Sequence, residues 1–204
     1  FPLILAAKLL NLKIYLLEPN LVLGRANKYF LNSCTKIFCY AEKIKKFPDK
    51  LKSKMVIINP LVRENIYKLN SCYESKDKFN LLIIGGSQGA NIFDKNLKNS
   101  IVNISKKFSI NVIQQTNEKN IVGLKDFYSK NKIENTIFNF DKNFANIIQQ
   151  VDLCITRAGA STLAELSLLN IPFVAVPLPT SKDNHQFENA NFYKNYDCCW
   201  ILKQ

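Results

Sequence analysis

Residues 81–90 read LLIIGGSQGA, and the order of the parts within that stretch decides the fold class. Leu81, Leu82, Ile83 and Ile84 form an unbroken apolar run, the pattern of a central parallel strand covered on both faces. Residues 85–89 break the run with three glycines, and over 90–104 apolar residues return at helical spacing. Strand, glycine turn and helix together open a parallel β unit, and the alternation continues downstream. Strands are predicted over 110–114, 136–140, 153–156 and 173–177, with helices over 121–131, 144–150, 161–169 and 184–195.

Upstream the same alternation is weaker. Residues 2–10 read as a buried helix, 13–17 as a short buried strand, 24–33 as a helix and 36–40 as a strand. An apolar β-branched run over 55–58 ends at the turn signal Asn59-Pro60. Residues 68–78 are polar, lysine-rich and aperiodic, which marks a linker. The expected architecture is α/β with two Rossmann-like domains: 1–67, the later part of a first domain, and 79–204, a second. No repeat is present. The first 17 residues are apolar but interrupted by Lys8, Asn11 and Lys13, too short to span a bilayer and without the basic leader of a signal peptide. The chain opens at Phe1 and reads as truncated.

Composition narrows the function classes. With 47% hydrophobic and 22% charged residues, the chain is that of a folded soluble domain. The formal charge of +12 is a modest vote for an acidic ligand or an anionic membrane surface, set against the stronger reading that Lys, Asn and Ile are abundant throughout, as in a proteome of biased composition. The lysines are scattered, with no run of five or six basic residues, so nucleic acid is not an expected partner. Six cysteines and one histidine make no CxxC pair. No metal site is expected, and the thiols read as reduced.

Three segments carry candidate chemistry. The glycine turn at 85–90 lets backbone N–H groups face an anion at a helix start, although it is neither a dinucleotide fingerprint nor a P-loop. Residues 156–165, TRAGASTLAE, place small residues at another helix start, which suits a pyrophosphate. There Ser161 or Thr162 can cap the helix or bond a phosphate oxygen. Glu165 either folds back as a capping box or accepts both hydroxyls of a ribose, and taken alone the residue favours the capping box. In the third segment, Pro177-Leu178-Pro179 followed by 183–186 and 189–190, His185 is a general base or a capping group, and Gln186 has the donor and acceptor that sugar hydroxyls require. All three follow strand ends of one parallel sheet and should converge on one edge.

The stretches LLIIGGSQGA (81–90), RAGASTLAE (157–165) and HQFENA (185–190) resemble the donor-domain motifs of the MurG family of glycosyltransferases. LAAKLL at 5–10, Glu18-Pro19-Asn20 with Gly24 and Asn27, and NPLVR at 59–63 are similar to that family's first-domain landmarks. The resemblance implies a two-domain GT-B enzyme that moves N-acetylglucosamine, with inversion, from UDP-N-acetylglucosamine to undecaprenyl-pyrophosphoryl-N-acetylmuramoyl-pentapeptide. By position it implies that Ser87 and the loop Ala160, Ser161, Thr162, Leu163, Ala164 and Glu165 hold UDP, with Glu165 on the ribose. Gln186 would meet the sugar, while Asn20 and Arg63 line the cleft from the first domain. Asp141 stands where the family has an apolar residue whose backbone touches uracil. No cofactor is implied.

The family's His-Glu-Gln-Asn is here Leu17-Glu18-Pro19-Asn20, and its Asn-Pro-Val-Arg has gained a residue. The glycine-rich loop and histidine of that family's opening segment are absent, so no catalytic base is named, and this chain alone is expected to bind donor without turnover. Residence at the cytoplasmic face of the bacterial membrane is expected, through basic groups and a patch of Leu21, Val22, Leu23, Lys28, Tyr29 and Phe30. The competing readings are a different UDP-sugar glycosyltransferase and a non-catalytic UDP-sugar-binding module that needs a partner chain. A nicotinamide-dependent oxidoreductase is disfavoured, because no G-x-G-x-x-G opens either half.

Overall fold

The computed structural model describes residues 2–69, 78–141 and 144–204, with the backbone alone for 86–90. Most of the expected linker, and Cys72, therefore lie outside the described residues. In chain order the elements are α1 (Pro2–Leu9), β1 (Tyr15–Glu18), α2 (Arg25–Phe30), β2 (Lys36–Cys39), β3 (Met55–Ile57) and α3 (Glu64–Tyr67). Then come β4 (Phe79–Ile84), α4 (Gly86–Asn96), α5 (Lys98–Ser105), β5 (Ile110–Gln115), α6 (Ile121–Lys130), β6 (Glu134–Phe138) and α7 (Phe144–Ile148). The chain continues with β7 (Leu153–Thr156), α8 (Ala160–Leu168), β8 (Phe173–Ala175), α9 (His185–Lys194) and β9 (Cys199–Ile201).

Two parallel sheets result. The first has the order β1-β2-β3, and the second the order β6-β5-β4-β7-β8-β9. In the second sheet β4 is central, pairing with β5 from Phe79 to Ile83 and with β7 from Leu81 to Ile84. Its apolar run is explained by two-sided cover. Leu82 and Ile84 face a core with Leu163 and Leu166 of α8 and Tyr193 of α9. Leu81 and Ile83 face the opposite core, with Phe93 of α4, Ile101 of α5 and Tyr128 of α6. Alternate residues of one strand thus enter opposite cores. Cys39 and Cys199 are buried thiols, and desolvation pushes both up to about 11, so they stay protonated at neutral pH.

The first sheet corrects two expectations. Helix α1 has no buried residue, and Leu3 and Leu9 are more than four-fifths exposed. The strand read as buried alternates instead: Leu16 and Glu18 are buried while Tyr15 and Leu17 are exposed. A short apolar run does not reveal whether one or two of its faces will be covered.

Other differences are local. The predicted helix at 90–104 begins at Gly86, so most of the glycine segment is itself helical, and a break at Leu97 separates α4 from α5. Strand β6 ends at Phe138, two residues before the expected end, because pairing with β5 stops at Gln115 opposite Phe138. Strand β9, three residues long, was not anticipated.

Candidate active site

In the second sheet, strand order reverses between β4 and β7. Crevices in open parallel sheets lie outside the carboxyl ends of strands at such a reversal. A cleft of about 630 Å³ occupies that position, and its walls come from the segments following β4, β5, β6, β7 and β8 and from Arg63 of the first unit. The expected convergence of the loops on one edge is therefore what the chain adopts. Two helix starts meet there. Helix α4 begins after Gly85 and α8 after Gly159, and among the described residues no side chain caps either one. The first-turn N–H groups of such a helix have no acceptor within it and carry the positive end of its dipole.

Glu165 sits in the second turn of α8 and is 4% exposed. It does not fold back on the helix start. The cap position is Gly159, so Thr162 already lies in the first turn and neither Ser161 nor Thr162 is the cap. Both carboxylate oxygens instead accept from Arg63, Nε to Oε1 and Nη2 to Oε2, each at 2.7 Å. The two-pronged geometry joins the units, and the Glu165 bond raises the Arg63 pKa above its ordinary value. Arg63 also lies over the Phe144 ring, 4.8 Å from its centroid. Each carboxylate oxygen keeps a second lone pair for a ligand.

Gln186 lines the cleft and uses its carbonyl oxygen to accept the Leu178 N–H at 2.9 Å, which leaves its NH₂ as a donor. His185 does not line the cleft, and its Nδ1 lies 2.8 Å from the Lys182 carbonyl, a local contact at the start of α9. Phe138 at the end of β6 and the exposed Phe140 after it give the cleft an aromatic wall, with Asp141 beside them.

Asn20 is placed differently from the expectation. It lies at the seam between the units and is not a cleft-lining residue. Its Nδ2 donates to Glu18 and its Oδ1 accepts from Asn189. Asn189, fully buried on α9, also donates to the Ala158 carbonyl and accepts the Leu21 N–H. Asp183 receives Lys46 and Arg25, and Glu188 receives Lys45. Phe192 of α9 packs against the cores of both units. This makes α9 the joint between them.

Of the candidate residues, Arg63, Asp141, Ser161, Thr162, Glu165 and Gln186 share the cleft wall. Ala160, Leu163 and Ala164 do not line it, and Leu163 and Ala164 are on the buried side of α8. The Ser87 side chain lies outside the described residues. The apolar surface expected after Asn20 is not formed, because Leu21, Val22, Leu23 and Phe30 are core residues; Lys28 and Tyr29 are exposed. Sequence reasoning gave no role to Arg157, Asn189 or the Phe138–Phe140 wall. Arg157 stood in a quoted motif, and a buried arginine has no periodic signal. Among the described residues no cluster of three or more His, Cys, Asp or Glu side chains is arranged to hold a metal.

Residues 80–204 match the model of the glycosyltransferase family 28 C-terminal domain. A protein of Pelagibacter ubique named UDP-N-acetylglucosamine–N-acetylmuramyl-(pentapeptide) pyrophosphoryl-undecaprenol N-acetylglucosamine transferase is 52% identical over 203 residues, covering 100% of this chain and 57% of the relative. A protein of the same name from Rickettsia felis is 38% identical over 210 residues, with 98% and 58% covered. The chain thus spans rather more than half the length of these relatives. Among solved structures, Acinetobacter baumannii MurG superposes with a TM-score of 0.77 at 27% identity, over 99% of this chain and 57% of that one. The two parallel-sheet units with a cleft at their meeting edge correspond to the GT-B arrangement of that structure.

Proposed function

The chain belongs to glycosyltransferase family 28, whose C-terminal domain it carries, and from that premise we propose that its cleft takes UDP-N-acetylglucosamine as donor. The reaction proposed is inverting transfer of N-acetylglucosamine to undecaprenyl-pyrophosphoryl-N-acetylmuramoyl-pentapeptide, the activity named for the Pelagibacter ubique and Rickettsia felis relatives. One observation carries the reading: two uncapped helix starts meet at the strand-order reversal, with a buried carboxylate and a free amide donor on the same wall.

Each part has a physical task in this proposal. The first-turn amides of α8, over Ala160, Ser161 and Thr162, hold the diphosphate, with the start of α4 and Ser87 opposite. Glu165 accepts the ribose hydroxyls through the lone pairs Arg63 leaves open. The Phe138–Phe140 wall and the backbone at Asp141 receive the base, since an aromatic face stacks on any base. Gln186 donates from its amide to the sugar. The acceptor hydroxyl gives up its proton to a base on the acceptor side as it attacks the anomeric carbon from the face opposite the diphosphate, the carbon–oxygen bond to UDP breaks, and the helix starts stabilise the charge that develops on departing UDP.

The division of labour follows. Residues 79–204 would bind donor, residues 1–67 would face the acceptor, and 68–78 would connect them. The lipid-linked acceptor places the reaction at the inner face of the cytoplasmic membrane, and the +12 charge supports reversible attraction to anionic headgroups. No described helix is long and apolar enough to cross a membrane. The test is a calorimetric comparison of UDP-N-acetylglucosamine, UDP-glucose and a nicotinamide dinucleotide. Preference for the first supports the reading, and preference for the dinucleotide overturns it.

A further inference from the structure

Arg157 follows the last residue of β7 and is 8% exposed, on the wall of the cleft. Its Nη1 donates to the Val176 carbonyl at 3.0 Å and its Nη2 to Gln204 Oε1 at 2.8 Å. Its guanidinium carbon stands 5.2 Å from the centroid of the Phe93 ring. These partners are neutral. Among the described residues no carboxylate pairs with it, and its Nε–H is buried with no acceptor. Burial lowers its pKa, as it must for a cation with no counter-charge.

The other charges on the wall do not supply that counter-charge. Arg63 and Glu165 neutralise each other. Asp141 follows β6, three strands away from β7, on the order of 14 Å of sheet. An uncompensated buried cation is unfavourable unless something else brings the negative charge. Here it lies two residues before the cap of α8 and beside the end of β4, where the uncapped amides already favour an anion.

We infer that Arg157 is the fixed positive charge of the diphosphate subsite, a binding residue whose counter-ion is the ligand itself. This rests on the reading that a uridine diphosphate sugar occupies the cleft. Cleavage of the glycosyl bond leaves UDP with one more negative charge than its sugar-linked form carried, so Arg157 favours departing UDP over intact donor. A residue that only held the β8 loop in place would affect every ligand of the cleft alike.

The test is the ratio of affinities for UDP and uridine, measured by calorimetry on the whole 204-residue chain. Arg157→Gln should lower that ratio roughly ten- to a hundredfold, the span of a hydrogen bond to a charged group, with the loss for UDP exceeding that for UDP-N-acetylglucosamine. Arg157→Lys, which keeps the charge and loses the fork, should hold the ratio within about threefold of wild type. An unchanged ratio in Arg157→Gln, or a collapsed one in Arg157→Lys, overturns the inference. If Arg157→Gln does not fold, Arg157→Lys decides alone on the same criterion. Wild-type protein that binds uridine and UDP equally also overturns it, whereas wild-type protein that binds neither overturns the functional reading beneath it.

Discussion

Arg63 and Glu165, 102 residues apart in sequence, meet as a two-pronged ion pair with both bonds at 2.7 Å. The pair is unequal, since the Arg63 side chain is 49% exposed and that of Glu165 only 5%. Removing Arg63 strands a buried carboxylate, while removing Glu165 strands a guanidinium that water can reach. Arg63→Met should therefore cost about 1–3 kcal/mol of stability, and Glu165→Met clearly less. For UDP affinity the order should reverse, because Glu165 is the proposed ribose acceptor and its charge-assisted bonds are worth roughly 1.5–3 kcal/mol each. Denaturant melts and UDP calorimetry on both variants separate the two orders. A Glu165→Met protein with wild-type UDP affinity would remove the ribose role.

Asn189 holds three partners with one buried amide: the Leu21 N–H, Asn20 Oδ1 and the Ala158 carbonyl. Asn189→Asp keeps the shape and the acceptor for Leu21 but turns the donor end into an oxygen facing two oxygens. Stability should fall by about 2 kcal/mol or more, from two orphaned acceptors and a buried charge. The urea midpoint checks this, and it should fall further for Asn189→Asp than for Asn189→Ala, which removes the bonds without adding repulsion.

The second sheet was legible because β4, β7 and their helices carry signals of local origin. An apolar run bounded by glycine and a helix start lined with small residues both report on themselves. Strand β7 ends at Thr156 as read, and the cleft wall takes Ser161, Thr162, Glu165 and Gln186 from the quoted motifs. What stayed hidden depends on distant partners. Nothing near Glu165 announces Arg63, and nothing near Asn20 announces that Asn189 will claim its side chain for the seam. Helix α1 failed for a related reason: eight apolar-rich residues specify a helix, but what covers it is a property of other segments.

Gly24 tests the packing of the first unit. Its N–H donates to Glu18 Oε2 at 2.6 Å, and Glu18 also accepts from the Asn20 backbone, Asn20 Nδ2 and Asn27 Nδ2. A Cβ at position 24 would lie 3.0 Å from Glu18 Oε2. The backbone there has φ −65°, so alanine fits the conformation and only the contact is at issue. Gly24→Ala should cost about 1–2 kcal/mol by pushing the carboxylate off its donors. Relief of that penalty in a Gly24→Ala, Glu18→Ala double variant, read from a melting-temperature cycle, would assign it to this contact. An additive cycle would assign it elsewhere.

Asp183 makes the seam sensitive to acid. The bond from Lys46, with Arg25 adding its charge, holds the Asp183 carboxyl below the usual carboxylate range. Folding therefore favours the ionised form. Its contribution is fully present above the ordinary value near ~4 and is lost as pH falls through the lowered one. The residue has φ 55°, a left-handed conformation that asparagine tolerates, so Asp183→Asn removes the charge with little backbone cost. Melting temperatures of wild type and Asp183→Asn should differ by a constant amount from pH 7 down to about 5 and converge as pH falls through the lowered value. Added salt at pH 7 should shrink the gap, since both cations reach solvent. A gap that persists unchanged at low pH would mean that the aspartate acts through its backbone conformation alone and that the seam takes no stability from its charge.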